Sequence, residues 1–231
     1  MKKLIFVGVF LAVIMRIEAY AQECMGVSLK VGSGYEMTNY DAKGKEESKT
    51  IMKIKEAKKE GSGWLIEMDI QSIDRKSKNL YTGIYKMKCT GDEILVDANS
   101  FLGEDQRKMF ESFDMKFTSK DISFPAKLTV GQTLPDGSLE GEGSTGPISV
   151  SVSMMMTDRK VVGKEKITTP AGSYDTFKVT TNMNIATKTV MKMSFDFETI
   201  SYRAPGLLWD VKSETYRKGK LVSSTLLTKV F

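Results

Sequence analysis

The chain has no histidine and only two cysteines among its 231 residues. Without imidazole there is no Ser-His-Asp or Cys-His nucleophile system, and no metal site that depends on a ring nitrogen. Neither a CxxC pair nor an SxxK motif occurs, which removes dithiol chemistry and lysine-activated serine. The 29 acidic residues are scattered, and no pair of them stands apart as an acid and a base. These absences predict a non-enzymatic protein with no cofactor and no metal. Long apolar runs are also missing after residue 21, where no stretch approaches the ~18 residues a membrane-spanning helix needs.

The first 21 residues are the exception. Lys2 and Lys3 precede the apolar run Leu4 to Met15, and Ala19-Tyr20-Ala21 closes it with a small-x-small pattern. That order is the order of a secretory signal, with cleavage before Gln22, and the alternative is a retained N-terminal anchor. Gln22 and Glu23, rather than small residues, precede Cys24, which argues against a lipid anchor there. Cleavage removes three positive charges and one negative one, so the net charge of +5 falls to about +3. An excess this small and unclustered does not predict nucleic-acid binding. The expected place is therefore the periplasm or cell surface of a bacterium, as one domain over residues 22–231. Cys24 and Cys89 both survive cleavage, and an oxidising destination predicts either a disulfide between them or two separate buried thiols.

What is present is a period of two. Trp64, Ile66, Met68 and Ile70 alternate with Leu65, Glu67 and Asp69; Tyr81, Gly83, Tyr85, Met87 and Cys89 share the next face. Met191, Met193, Phe195 and Phe197 alternate with Lys192, Ser194 and Asp196, and Val222, Leu226 and Val230 recur near the end. Such alternation marks antiparallel strands with one buried and one wet face. Turn chemistry separates the runs at Asp41 to Gly44, Lys59 to Gly63, Asp74 to Lys78 and Arg217 to Gly219. The count is ten to twelve strands and one short helix over 104–113, where Met109, Phe110 and Phe113 share a face behind Glu104 and Asp105.

Leu134 to Pro147 reads as a glycine-rich loop that could divide two halves. The strands on either side each have one apolar face to cover, which favours a single domain. Within it, Gly141 to Gly146 matches GxGxxG in form, but Pro147 and a Ser/Val alternation follow where a helix N-terminus would have to hold a pyrophosphate. Asp136, Ser138, Glu140 and Glu142 offer alternating oxygens without the loop geometry calcium needs. Thirteen methionines remain after cleavage, Met154 to Met156 among them. Without His or CxC they suit an apolar core or pocket better than copper.

Three segments carry a family likeness in this order. They are Pro125-Ala126-Lys127-Leu128-Thr129-Val130-Gly131-Gln132-Thr133-Leu134-Pro135-Asp136-Gly137, then Thr169-Pro170-Ala171-Gly172-Ser173-Tyr174-Asp175-Thr176-Phe177-Lys178-Val179, then Tyr202-Arg203-Ala204-Pro205-Gly206 with Val211 to Tyr216 and Gly219 to Val222. The chain thus resembles the secreted domain-of-unknown-function 3108-like, or TapB-like, bacterial proteins over most of its mature length. It departs from them at Leu207-Leu208-Trp209-Asp210, where a glycine-containing turn is expected. The resemblance implies a curved antiparallel sheet or half-barrel; a two-layer β arrangement is the alternative. It brings no catalytic residues.

Two functions follow as expectations. One is a module that holds an apolar small molecule or peptide on a concave sheet face, with Tyr81, Tyr85, Met87, Met191, Met193, Phe195 and Phe197 as candidate pocket residues. It requires a cavity of roughly 300 Å3 or more. The other is a structural component contacting envelope proteins, with a filled core and an exposed apolar patch.

Overall fold

The computed structural model describes residues 23–189 and 191–231, so the signal segment and its cleavage site lie outside the described residues. Along the chain run β1 (Glu23–Cys24), β2 (Val27–Ser28), β3 (Gly34–Asp41), β4 (Glu46–Glu60), β5 (Gly63–Asp74), β6 (Asn79–Cys89) and β7 (Glu93–Val96). A 3-10 turn at Ala98–Phe101 and helix α1 (Glu104–Glu111) follow, then β8 (Lys116–Lys120), β9 (Ile122–Pro125), β10 (Gly137–Thr145) and β11 (Ile148–Thr169). The chain ends with β12 (Gly172–Lys188), β13 (Lys192–Arg203), β14 (Lys212–Arg217) and β15 (Lys220–Val230).

Strands β3 to β15 form one antiparallel sheet of 13 strands in the order β8-β10-β11-β12-β13-β14-β15-β3-β4-β5-β6-β7-β9. Its two edge strands, β8 and β9, are consecutive in the chain and separated only by Asp121. The sheet therefore curls until its edges adjoin, a nearly closed barrel that leaves no long free edge. The small β1–β2 hairpin lies outside this order.

The hairpins follow the turn chemistry read from the sequence. Asp41 Oδ1 accepts from the backbone N–H groups of Lys43 and Lys45, and Asp74 Oδ1 does the same for Lys76 and Lys78. Each aspartate thereby satisfies two donors that the turn would leave unpaired. The period-two faces become the core: Ile66, Met68 and Ile70 of β5, Met37 of β3, Met52 and Ile54 of β4 and Leu227 of β15 are all buried together.

Three expectations are corrected. The stretch Leu134 to Pro147 is not a loop, because β10 occupies Gly137–Thr145 and pairs with both β8 and β11. Its glycines serve close packing rather than flexibility. A Cβ on Gly143 would sit 2.3 Å from the backbone O of Phe113, and one on Gly141 2.4 Å from the Phe117 ring. The helix is shorter than 104–113, with Phe110 buried, Met109 exposed and Phe113 beyond its end. In β15 the buried residue is Leu227, while Val222 and Val230 are exposed: Val222 is the extra residue where Thr215 pairs with Ser223 and Tyr216 with Leu221, and a second register shift lies between Leu227 and Lys229.

Candidate ligand-binding cavity

The interior site starts from an irregularity. In β11, Thr157 pairs with Asn182 and Lys160 with Thr180, so Asp158 and Arg159 together oppose Thr181 alone. This bulge places Asp158 at φ 53° and switches which residues face inward, from Met154 and Met156 before it to Arg159 and Val161 after it. A charged residue that simple alternation would leave ambiguous is thus aimed into the barrel. Arg159 ends 1% exposed.

Inside, Arg159 Nη1 donates to the carbonyl of Pro135 at 2.6 Å, and its guanidinium lies over the Phe124 ring at 4.8 Å. Arg203, the last residue of β13, lies over the same ring at 3.8 Å. Arg203 is paired: its Nη1 donates to Asp210 Oδ1 at 2.8 Å and its Nη2 to Leu208 O at 3.3 Å. Among the described residues Arg159 forms no ion pair. Burial pushes its guanidinium down to about 10, the Arg203 charge pushes the same way, and Asp210 and the exposed Asp136 offset part of this. It is still a cation at neutral pH.

Between these groups lies a cavity of about 150 Å3, bordered by both arginines, Asp210, Phe124, Trp209 and Met156, with Thr181 and Thr199 on its β12–β13 wall. The segment Leu207–Asp210, where the sequence departs from the resembled family, narrows the interior. The Trp209 ring packs edge-on against Tyr85, as does Phe101, and the N–H of the buried Leu208 donates to the Tyr35 hydroxyl. This packing limits the partly open cavity to about half of the volume that the pocket expectation required.

The wall continues beyond the cavity. Register pairs Thr181 with Thr199, Met183 with Phe197 and Ile185 with Phe195, so these share one sheet face. Across β11 the same face carries Met156 opposite Met183 and Met154 opposite Ile185. A half-exposed apolar track thus leads away from the cavity along the concave surface.

The seven candidate pocket residues are divided between two places. Tyr81, Tyr85 and Met87 lie on β6 against the main core, where Met87 is buried and burial pushes the Tyr85 phenol up. Met193, Phe195 and Phe197 lie on β13 along the outer track, with Met193 53% and Met191 73% exposed. None of the seven borders the cavity. Cys24 and Cys89 are joined as a disulfide with Cα atoms 6.1 Å apart, fastening the β1–β2 hairpin to the end of β6. Sequence reasoning missed Arg159, Arg203 and Asp210. The available signals were a charged pair interrupting an apolar run at Asp158-Arg159, and the departure at Leu207–Asp210 beside Arg203. No group of three or more metal-ligating side chains occurs among the described residues. Likewise, no described helix is long and apolar enough to cross a membrane.

The architecture is that of a single-sheet antiparallel barrel protein with a charged interior cavity. Residues 30–227 match the DUF3108-like family, and the chain belongs to it. Two solved structures share the fold. One is from Bacteroides fragilis, described as an inferred exported protein with a YmcC-like fold, at TM-score 0.69 and 20% identity over 90% of this chain and 100% of that one. The other, from Parabacteroides distasonis, is described as an inferred lipoprotein, at TM-score 0.68 and 24% identity over 91% and 100%. No curated protein matches the sequence.

Proposed function

We propose that the protein is a non-catalytic binding module of the bacterial envelope that holds an apolar chain on its concave face. The carrying observation is continuity: the cavity wall at Thr181 and Thr199 passes directly into the apolar track of Met183, Phe197, Ile185 and Phe195. Apolar side chains left half exposed on a concave surface gain when a ligand covers them. Export is supported by the N-terminal signal pattern and by the Cys24–Cys89 disulfide, which needs an oxidising compartment to persist. The descriptions of the two structural neighbours point the same way.

The experiment is uptake of a fluorescent naphthylamine probe by the purified protein. Phe195→Asp places a charge on the track and is expected to remove the fluorescence gain, while Ser194→Asp, on the opposite face of β13, leaves it intact. Equal uptake by both variants would contradict the reading. A second reading, an assembly component, draws on the high exposure of Met191 and Met193 at the end of β13. It expects no probe uptake and copurification of a defined envelope protein that Met193→Asp releases.

A further inference from the structure

We infer that the ligand is a single-chain amphiphile with a monoanionic carboxylate head, and that Arg159 takes this head inside the cavity. The inference rests on the concave-face reading above and specifies its ligand. The cavity holds two guanidinium groups and one carboxylate. Asp210 is already committed to Arg203 at 2.8 Å, whereas Arg159 has one hydrogen bond, to a carbonyl. A buried cation without a counter-ion is held at a cost, and the sheet bulges specifically to put this one indoors. An ionised carboxylate is planar and accepts two parallel N–H bonds from a guanidinium, so it matches in shape and charge the donors of Arg159 that face the cavity. Two guanidinium groups against one carboxylate leave a net charge of +1 on the cavity lining, which the exposed Asp136 offsets only in part. A dianionic head would bury a second negative charge with nothing to pair it, and a neutral head would leave Arg159 as it stands.

The tail has a direction as well. Its track begins at the inward residues that follow Thr181 and Thr199 and moves away from Arg159. From Thr199 to Phe195 it spans four residues, about 14 Å at ~3.4 Å per residue. The buried guanidinium therefore lies at the cavity end, while the outer end is apolar surface edged by the exposed Arg217 over Phe195 and Phe197, an arrangement that suits an acyl chain entering head first. A peptide would instead need partners for its backbone groups along the track, where the side chains are Met, Ile and Phe with Arg217 alone at the outer edge.

The test is calorimetric titration of the folded, disulfide-bonded protein with dodecanoate, dodecanol and dodecyl phosphate below their aggregation concentrations. Wild type is expected to bind dodecanoate at least about tenfold more tightly than dodecanol, in line with a charge-assisted pair. Arg159→Met should bind the two equally, at the wild-type affinity for dodecanol, and Arg159→Lys should recover part of the preference. Equal binding by wild type, a preference that survives in Arg159→Met, or dodecyl phosphate binding as tightly as dodecanoate would overturn the assignment of the head. If none of the three compounds and no naphthylamine probe binds wild type, the concave-face reading itself fails. Dodecanol and probe binding without any dodecanoate advantage would sink the head assignment alone.

Discussion

Arg203 and Asp210 meet through Nη1 and Oδ1 at 2.8 Å, closing the two limbs of the segment that narrows the barrel interior. Their side chains are only 11% and 19% exposed. Breaking such a pair from one side leaves the other charge buried and alone, which is worse than having no pair. Arg203→Met is therefore expected to lower unfolding stability by about 3 kcal/mol. The double variant Arg203→Met/Asp210→Leu should regain more than half of that loss. Urea denaturation of the two variants checks this, and equal stabilities would show that Asp210 is not left stranded.

Arg159 predicts the opposite sign, because it has no carboxylate to strand. Its folded value near 10 lies below that of an ordinary guanidinium, so the fold disfavours its charged form. The penalty, about 3 kcal/mol for a shift of that size, is complete below pH 10 and fades as pH rises toward the ordinary value. Arg159→Met gives up the Pro135 bond and the Phe124 contact, leaving an expected net gain of about 1 kcal/mol at pH 7. The advantage of the variant should shrink above pH 10. Thermal or urea unfolding of both proteins from pH 7 to 11 measures it. A variant less stable than wild type at pH 7 would show that the charge is compensated in the folded state.

The parts of this structure that were legible in the sequence are those where chemistry acts locally. Alternation at Trp64–Ile70 and Tyr81–Cys89 reports strand faces directly, and Asp41 and Asp74 announce their turns by side-chain bonds two and four residues on. The cavity was not legible, because a bulge sets which way Arg159 points and nothing in Thr157-Asp158-Arg159-Lys160 states the register of the neighbouring strand. Gly141 and Gly143 misled for a related reason. Their freedom from side chains answers Phe117 and the Phe113 carbonyl, both more than twenty residues away in the chain. Alternation also could not separate Phe195 on an open track from Met87 in a filled core, since both faces read as inward.

Gly143 supplies a prediction from that packing. A methyl group there meets the Phe113 backbone oxygen, which also accepts from Ser144 N at 2.8 Å and cannot turn aside as a side chain would. Gly143→Ala is expected to destabilise by about 1–3 kcal/mol through this overpacking. Gly163→Ala, where added Cβ meets nothing within 4 Å, should change stability by under about 1 kcal/mol. Similar losses in the two would show that the contact is not responsible.

The disulfide closes a loop of 65 residues between the N-terminal hairpin and β6. In the chain-entropy account a loop of that length is worth about 4 kcal/mol. Cys24→Ser/Cys89→Ser is expected to lose about that much in urea unfolding, and reduction of the native protein should lose a comparable amount. A loss under about 1 kcal/mol would mean that the hairpin contributes little to the folded barrel.

The measurement closest to the central claim is nitrogen-15 NMR of the arginine side chains during titration with dodecanoate. Cross-peaks of Arg159 are identified by their loss in Arg159→Met. Bound carboxylate should shift the Arg159 Nε–H resonance most, Arg203 less, and Arg217, which lies over the Phe195 ring at 4.9 Å, only through the tail. Saturable binding that leaves Arg159 unmoved while Arg217 shifts would place the head at the open end and contradict the account.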